Sequence, residues 1–163
     1  MLRNNLLKMI SKGSLLLILL LPSLAMAEFR PFVSGSIKEI TDARNGQPFL
    51  LILWSVDCPP CLKELEEIGQ LRTQFSSGSL VLISTDSADY AADGLKILAR
   101  YGLSDAENWR FAGGFPERLR YQIDPNWYGE LPRAYFYDAN HEQVGKSGAL
   151  SRDLLQQFIE QLH

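Results

Sequence analysis

The sequence has 163 residues, 46% of them hydrophobic and 21% charged, with a net charge of −3. That is enough chain for one compact domain and too little for two, and the composition is not that of a disordered or fibrous protein. Residues 1–27 carry three basic residues and no acidic one, so without them the net charge becomes −6; an acidic domain with no basic cluster argues against nucleic acid and anionic membrane surfaces as partners.

The first segment reads as a secretory signal. Arg3, Lys8 and Lys12 form a basic leader, Ser14 to Leu21 is an almost unbroken Leu/Ile run, and Pro22 ends it before Ala25-Met26-Ala27. A basic region, a short apolar region and an A-x-A site predict cleavage after Ala27 and export to the periplasm. The alternative is an uncleaved anchor in the inner membrane, but the apolar run is well short of the ~20 residues that span a bilayer. All three methionines (Met1, Met9, Met26) fall in this segment, so a Met-rich copper site is not expected in the mature chain.

Residues 28–163 read as one domain. Glu28 to Arg44 is a lead-in in which Ser36 and Glu39 suit the cap of one short helical turn, and Asn45-Gly46-Gln47-Pro48 is a turn signal. Phe49 to Trp54 is a continuous apolar run suited to a strand buried on both faces. After the cysteines, Leu62, Leu65, Ile68, Leu71 and Phe75 recur at helical spacing between charged residues, predicting an amphipathic helix that ends near Ser77-Gly78. Leu80 to Ile83 is a second buried strand closed by Ser84-Thr85-Asp86. Tyr90 to Tyr101 is a second helix capped by Gly102, and Phe115 to Ile123 a shorter one. Ala134 to Tyr137 is a strand, Asp138 to His141 a turn, and Gln143 to Lys146 the partner strand. A last helix begins at the N-cap Ser151 and runs to Leu162. Strand-helix-strand followed by a hairpin predicts an α/β domain whose sheet mixes parallel and antiparallel strands.

The only two cysteines, Cys58 and Cys61, form one C-x-x-C. As a structural cross-link the pair is poor, because stabilisation grows with loop length and this loop encloses two residues. As a zinc site it is half a site, since the only histidines are His141, in a turn, and His163, the last residue. Redox chemistry is the stronger reading. The pair stands where a buried strand ends and a helix begins, and Pro59 and Pro60 suit a helix's first turn. Cys58 then lies among unpaired N–H groups at the positive end of the helix, which favours the thiolate that attacks disulfides. Cys61, one turn further in, is the resolving thiol. Leu131-Pro132 stands immediately before the strand Ala134 to Tyr137. Position alone leaves open a trans proline starting an edge strand or a cis proline exposing the backbone of Leu131 to an extended substrate.

The run from Phe49 to Cys61 with its following helix, and later Gly129-Glu130-Leu131-Pro132-Arg133-Ala134-Tyr135-Phe136-Tyr137-Asp138, resembles the TlpA-like branch of the thioredoxin superfamily, ResA-like proteins included. The resemblance implies a thioredoxin-like fold with a central mixed sheet flanked by helices, and a cis bond at Leu131-Pro132. It implies a periplasmic protein-disulfide reductase for exported clients, apocytochrome c among the family's substrates. Recharging comes from a membrane electron-transfer protein, and no cofactor is used beyond the Cys58–Cys61 disulfide. A monomer is expected. Trp54, Leu131, Pro132 and Arg133 are the expected substrate contacts; Asp57, Pro59 and Pro60 are expected to tune the redox pair. The resemblance also gives Glu64, three residues after Cys61, a part in proton transfer, against the plain alternative of a solvated helix glutamate.

The sequence also departs from the family pattern. Asp57 replaces the Trp common before the first cysteine, and a carboxylate there opposes thiolate formation, pointing to a slower, more reducing protein. Ile52 stands where thioredoxin has a buried acid, Glu66 where a helix-kinking proline is usual, and Arg133 where a small residue commonly follows the cis-proline. The rival readings are a thiol oxidase or isomerase of the same fold, a peroxidatic enzyme, and a Cu(I)-binding metallochaperone. Ser55 matches a peroxidatic S-x-x-C, but Leu51 occupies the place of the required proline.

Overall fold

The computed structural model describes residues 28–162; the expected signal segment and its cleavage site lie outside them, as does His163. The strands are β1 (Arg30–Phe32), β2 (Phe49–Trp54), β3 (Leu80–Ser84), β4 (Glu107–Phe111), β5 (Arg133–Tyr137) and β6 (Gln143–Ser147). Between and after them come the helices α1 (Ser36–Asp42), α2 (Pro59–Gln70), α3 (Ala91–Arg100), α4 (Pro116–Ile123) and α5 (Arg152–Gln161). One six-stranded sheet has the order β1-β4-β3-β2-β5-β6. β1, β4, β3 and β2 are parallel, while β5 and β6 run antiparallel to their neighbours. The α/β reading with a mixed sheet therefore holds.

Every residue of β2 is buried. The two-residue strand period sends Leu50, Ile52 and Trp54 into one apolar cluster and Phe49, Leu51 and Leu53 into the other. Helices α2, α3 and α5 cover the first face through Leu65, Ile68, Leu98, Leu155 and Ile159. Helices α1 and α4 cover the second through Ile40, Leu119 and Ile123.

Two strands were not anticipated. β1 is three residues long at the sheet edge and contains Pro31. β4 reads Glu-Asn-Trp-Arg-Phe, and the charge of its Glu107 is neutralised by distant partners. Glu107 pairs with the buried Arg44 at 2.7 Å and with Arg30 at 3.1 Å. The buried Asn108 side-chain amide donates to the carbonyls of Leu103 and Ala106. Charge that is neutralised across the fold carries no local strand signal.

Two boundaries also differ from expectation. α2 ends at Gln70 rather than near Ser77-Gly78. Leu71 leaves the helical region, a 3₁₀ turn follows over Arg72–Gln74, and the Arg72 guanidinium binds Asp105 at 2.9 Å. Leu71 and Phe75 still enter the same core, so apolar spacing persists past the helix end. At α1 the N-cap is Gly35, at a φ of 91° that only glycine adopts freely. Ser36 Oγ instead accepts the Val33 N–H at 3.0 Å, and Glu39 pairs with Arg30 at 2.6 Å.

Candidate active site

The site forms where β2 ends. Cys58 is the N-cap of α2, and Pro59 and Pro60 occupy the first two helical positions, where a missing N–H costs no hydrogen bond. Cys58 and Cys61 are joined as a disulfide with Cα atoms 5.2 Å apart. Cys58 Sγ accepts the Cys61 N–H at 3.3 Å, a side-chain cap made by sulfur. The two sulfurs differ in access: Cys61 is fully buried, whereas Cys58 is half-buried between exposed Asp57, Pro59 and Pro60. A partner can reach Cys58 and not Cys61.

Glu64 is not a solvated helix glutamate. It is 1% exposed, and its Oε1 accepts the Leu150 N–H at 2.7 Å, from the segment that leads into α5. Its Oε2 is buried with no hydrogen-bond partner. Burial outweighs the Leu150 bond and lifts this carboxyl to about 7. Its neighbours on the exposed helix face, Glu66 and Glu67, lie outside the core. A cavity of about 280 Å³ between α2 and Ala149–Arg152 has Glu64 in its wall. Ile52, fully buried in the same apolar cluster as Cys61, offers no acid of its own. The only described carboxyl one turn from Cys61 on the buried face of α2 is thus Glu64, held neutral or charged according to pH near 7.

The Leu131–Pro132 peptide bond is cis. β5 pairs with β2 out to Arg133 opposite Leu53, so Pro132, just before β5, stands at the same end of the sheet from which the cysteine loop departs. Leu131 is partly buried and packs against both apolar clusters. The Trp127 indole N–H holds the preceding loop through the Glu130 carbonyl at 2.9 Å.

Two expected substrate contacts lie elsewhere. Trp54 is fully buried under α3, its ring 6.5 Å from that of Phe29, with its indole N–H unpaired. The strand period sends it inward at the last β2 position, so its side chain has no surface to offer. Arg133 does not stand free beside a groove either. It points to the sheet face opposite Cys61, pairs with Asp124 at 2.9 Å, and donates to Ser147 Oγ at 2.6 Å. Asp124 also accepts from the Tyr135 hydroxyl at 3.0 Å and the Asn126 N–H at 2.8 Å. Burial alone would raise the Asp124 carboxyl; those hydrogen bonds and the Arg133 charge outweigh it and hold the group below its usual range. Arg133 is therefore half of a part-buried ion pair.

Sequence reasoning missed Asp86, whose carboxylate grips the loop before Cys58, and the Leu150 N–H that holds Glu64. Ser84-Thr85-Asp86 was legible as a strand end, but nothing local links it to residues 30 positions earlier.

No family model and no curated sequence matches the chain. Solved structures do. A secreted disulfide oxidoreductase from Mycobacterium tuberculosis superposes with a TM-score of 0.55 at 22% identity, over 73% of this chain and 84% of that one. A thiol:disulfide interchange protein from Chlorobium tepidum gives 0.59 at 15%, over 76% and 85%. A thioredoxin-related protein from Neisseria meningitidis serogroup B gives 0.57 at 22%, over 72% and 85%. With its mixed sheet, its C-x-x-C at the β2–α2 junction and its cis-proline ahead of β5, the chain has the thioredoxin-like fold.

Proposed function

We infer that this chain is an exported thiol–disulfide oxidoreductase that reduces disulfides in other exported proteins. The observation that carries the reading is the asymmetry of the pair: an accessible sulfur capping a helix, joined to a buried one, with a buried carboxyl one turn beyond. The resemblance of the fold to solved oxidoreductases, one of them described as secreted, supports it.

In the reduced protein the Cys58 thiolate attacks a client disulfide, forming a mixed disulfide and releasing one client thiolate. Cys61 then loses its proton and attacks Cys58 Sγ. The Cys58–Cys61 bond forms, the mixed bond breaks, and the second client sulfur leaves; two electrons have passed to the client. Glu64 takes up the Cys61 proton, a task suited to a group poised near neutral pH. The disulfide form described above is the product of this cycle. Two electrons from an external dithiol, supplied by a membrane electron-transfer protein, reopen the Cys58–Cys61 bond, and the proton held by Glu64 returns to Cys61, restoring the starting state. Leu131, partly exposed beside the buried Pro132, flanks the client chain, and the acidic mature domain suits a basic client such as apocytochrome c. Export rests on the leader at residues 1–27.

Equilibration of the Cys58–Cys61 pair with glutathione buffers tests the direction. A reductant gives a potential well below that of glutathione-poised oxidants, whereas a value near −120 mV, that of strong oxidants, sinks it.

A further inference from the structure

The loop that presents Cys58 belongs to no strand or helix, yet the N–H groups of Val56, Asp57 and Cys58 are all held. Val56 N–H donates to Asp86 Oδ2 at 3.0 Å, Asp57 N–H to Ser55 Oγ at 3.3 Å, and Cys58 N–H to the Ser55 carbonyl at 3.3 Å. Ser55 Oγ–H in turn donates to Asp86 Oδ1 at 2.6 Å. Asp86 lies just beyond β3, and Ser84 fixes it from its own side: the Ser84 hydroxyl donates to Oδ2 at 2.7 Å and accepts the Asp86 N–H at 3.1 Å. Both carboxylate oxygens are thus engaged by three donors, two of them from the cysteine loop. An aspartate that merely ended a strand would point to water. This one spans two strands and is the anchor on which Ser55, and through Ser55 the backbone at Asp57 and Cys58, depends.

We propose that Asp86 is a positioning residue for Cys58: through Ser55 and Val56 it holds the loop so that the sulfur stays at the N-cap of α2. The inference rests on the dithiol reading above for its functional meaning. Two properties of Cys58 follow from the position. Its thiolate is stabilised by the N–H groups of the first turn only if the sulfur lies over them. Its attack on a disulfide requires alignment with both target sulfurs, and misplacement of a reacting atom by an ångström is costly in rate. Asp86 touches neither sulfur nor client and acts through the loop alone.

The test uses the reduced full chain and two readouts: the pH profile of Cys58 alkylation by iodoacetamide, and the rate of reduction of a small aromatic disulfide. Asp86→Ala and Ser55→Ala are each expected to slow both reactions about tenfold at pH 7. Asp86→Asn keeps an acceptor oxygen for the loop and is expected to recover most of the rate. Asn108→Ala is the control for loosening of the fold, since it removes two buried hydrogen bonds from β4. It lowers the melting temperature and leaves Cys58 reactivity unchanged. Wild-type alkylation profiles in both Ala variants overturn the proposal, and so does a loss in Asn108→Ala as large as theirs. Should Asp86→Ala fail to fold, Ser55→Ala decides alone. A wild-type protein that alkylates normally but reduces no disulfide overturns the dithiol reading, and the alkylation comparison still decides the positioning role.

Discussion

Asp57 sits exposed immediately before the half-buried Cys58, on a loop whose backbone is pinned. Its charge opposes the thiolate, and its exposure means that water and salt screen the effect. In Asp57→Asn the thiolate fraction of reduced Cys58 at pH 7 is expected to rise about two- to threefold at low salt, and less at 0.5 M salt. Thiolate absorbance at 240 nm against pH reads this directly, and identical titrations at low salt would show that Asp57 has no tuning role. Glu66, which stands where the resemblance led to expect a proline, is exposed on an unbroken α2. Pro59 and Pro60 work through geometry, occupying the two positions of α2 where no backbone donor is lost.

At the scale of elements, the placement of α2 decides the site, because α2 carries Cys61 and Glu64 inward together. Its C-terminal end is set by a close approach: a β-carbon added to Gly69 would overlap the carbonyl oxygen of Tyr101, the C-cap of α3. A backbone carbonyl has no rotamer by which to move aside. Gly69→Ala is therefore expected to cost about 3 kcal/mol, read as a fall in the urea midpoint with an unchanged slope. An Ala variant as stable as the parent would mean that α2 and α3 can separate freely. The other end of the sheet shows the same dependence on pairs of elements. The buried Arg44 guanidinium ties the carbonyls of Ile40 and Gly78 to Glu107 on β4, so one residue after α1 holds an otherwise unmarked strand.

For the whole molecule, the state of Glu64 depends on parts that meet only in the folded chain: the buried face of α2, and Leu150 from the turn before α5. In the fold its carboxyl is raised from an ordinary 4.5 to about 7. The native protein thus binds a proton there more tightly than the unfolded chain does. This contribution to stability is full below about pH 4.5 and is lost as pH rises through about 7. The gap corresponds to roughly 3 kcal/mol. Urea unfolding of the oxidised protein between pH 4.5 and 8 is expected to show this decline, with Glu64→Gln removing that portion of it; parallel profiles for the two proteins count against the raised carboxyl. Much of the architecture was written locally. The apolar run Phe49 to Trp54, the helical spacing from Leu62 to Ile68 and the Ser151 cap each encode an element within a few residues, because burial period and capping are short-range properties. The same is true of the C-x-x-C at a strand–helix junction. Tertiary structure alone decided the rest. β4 exists because Arg44 and Arg30 neutralise Glu107 from far along the chain, and Arg133 is withdrawn from the site by Asp124. The Cys58 loop is anchored by Asp86, and Glu64 is lifted toward neutrality by burial. Each depends on a desolvated charge and its distant partner, and desolvation is a property of the packed whole rather than of any stretch of sequence.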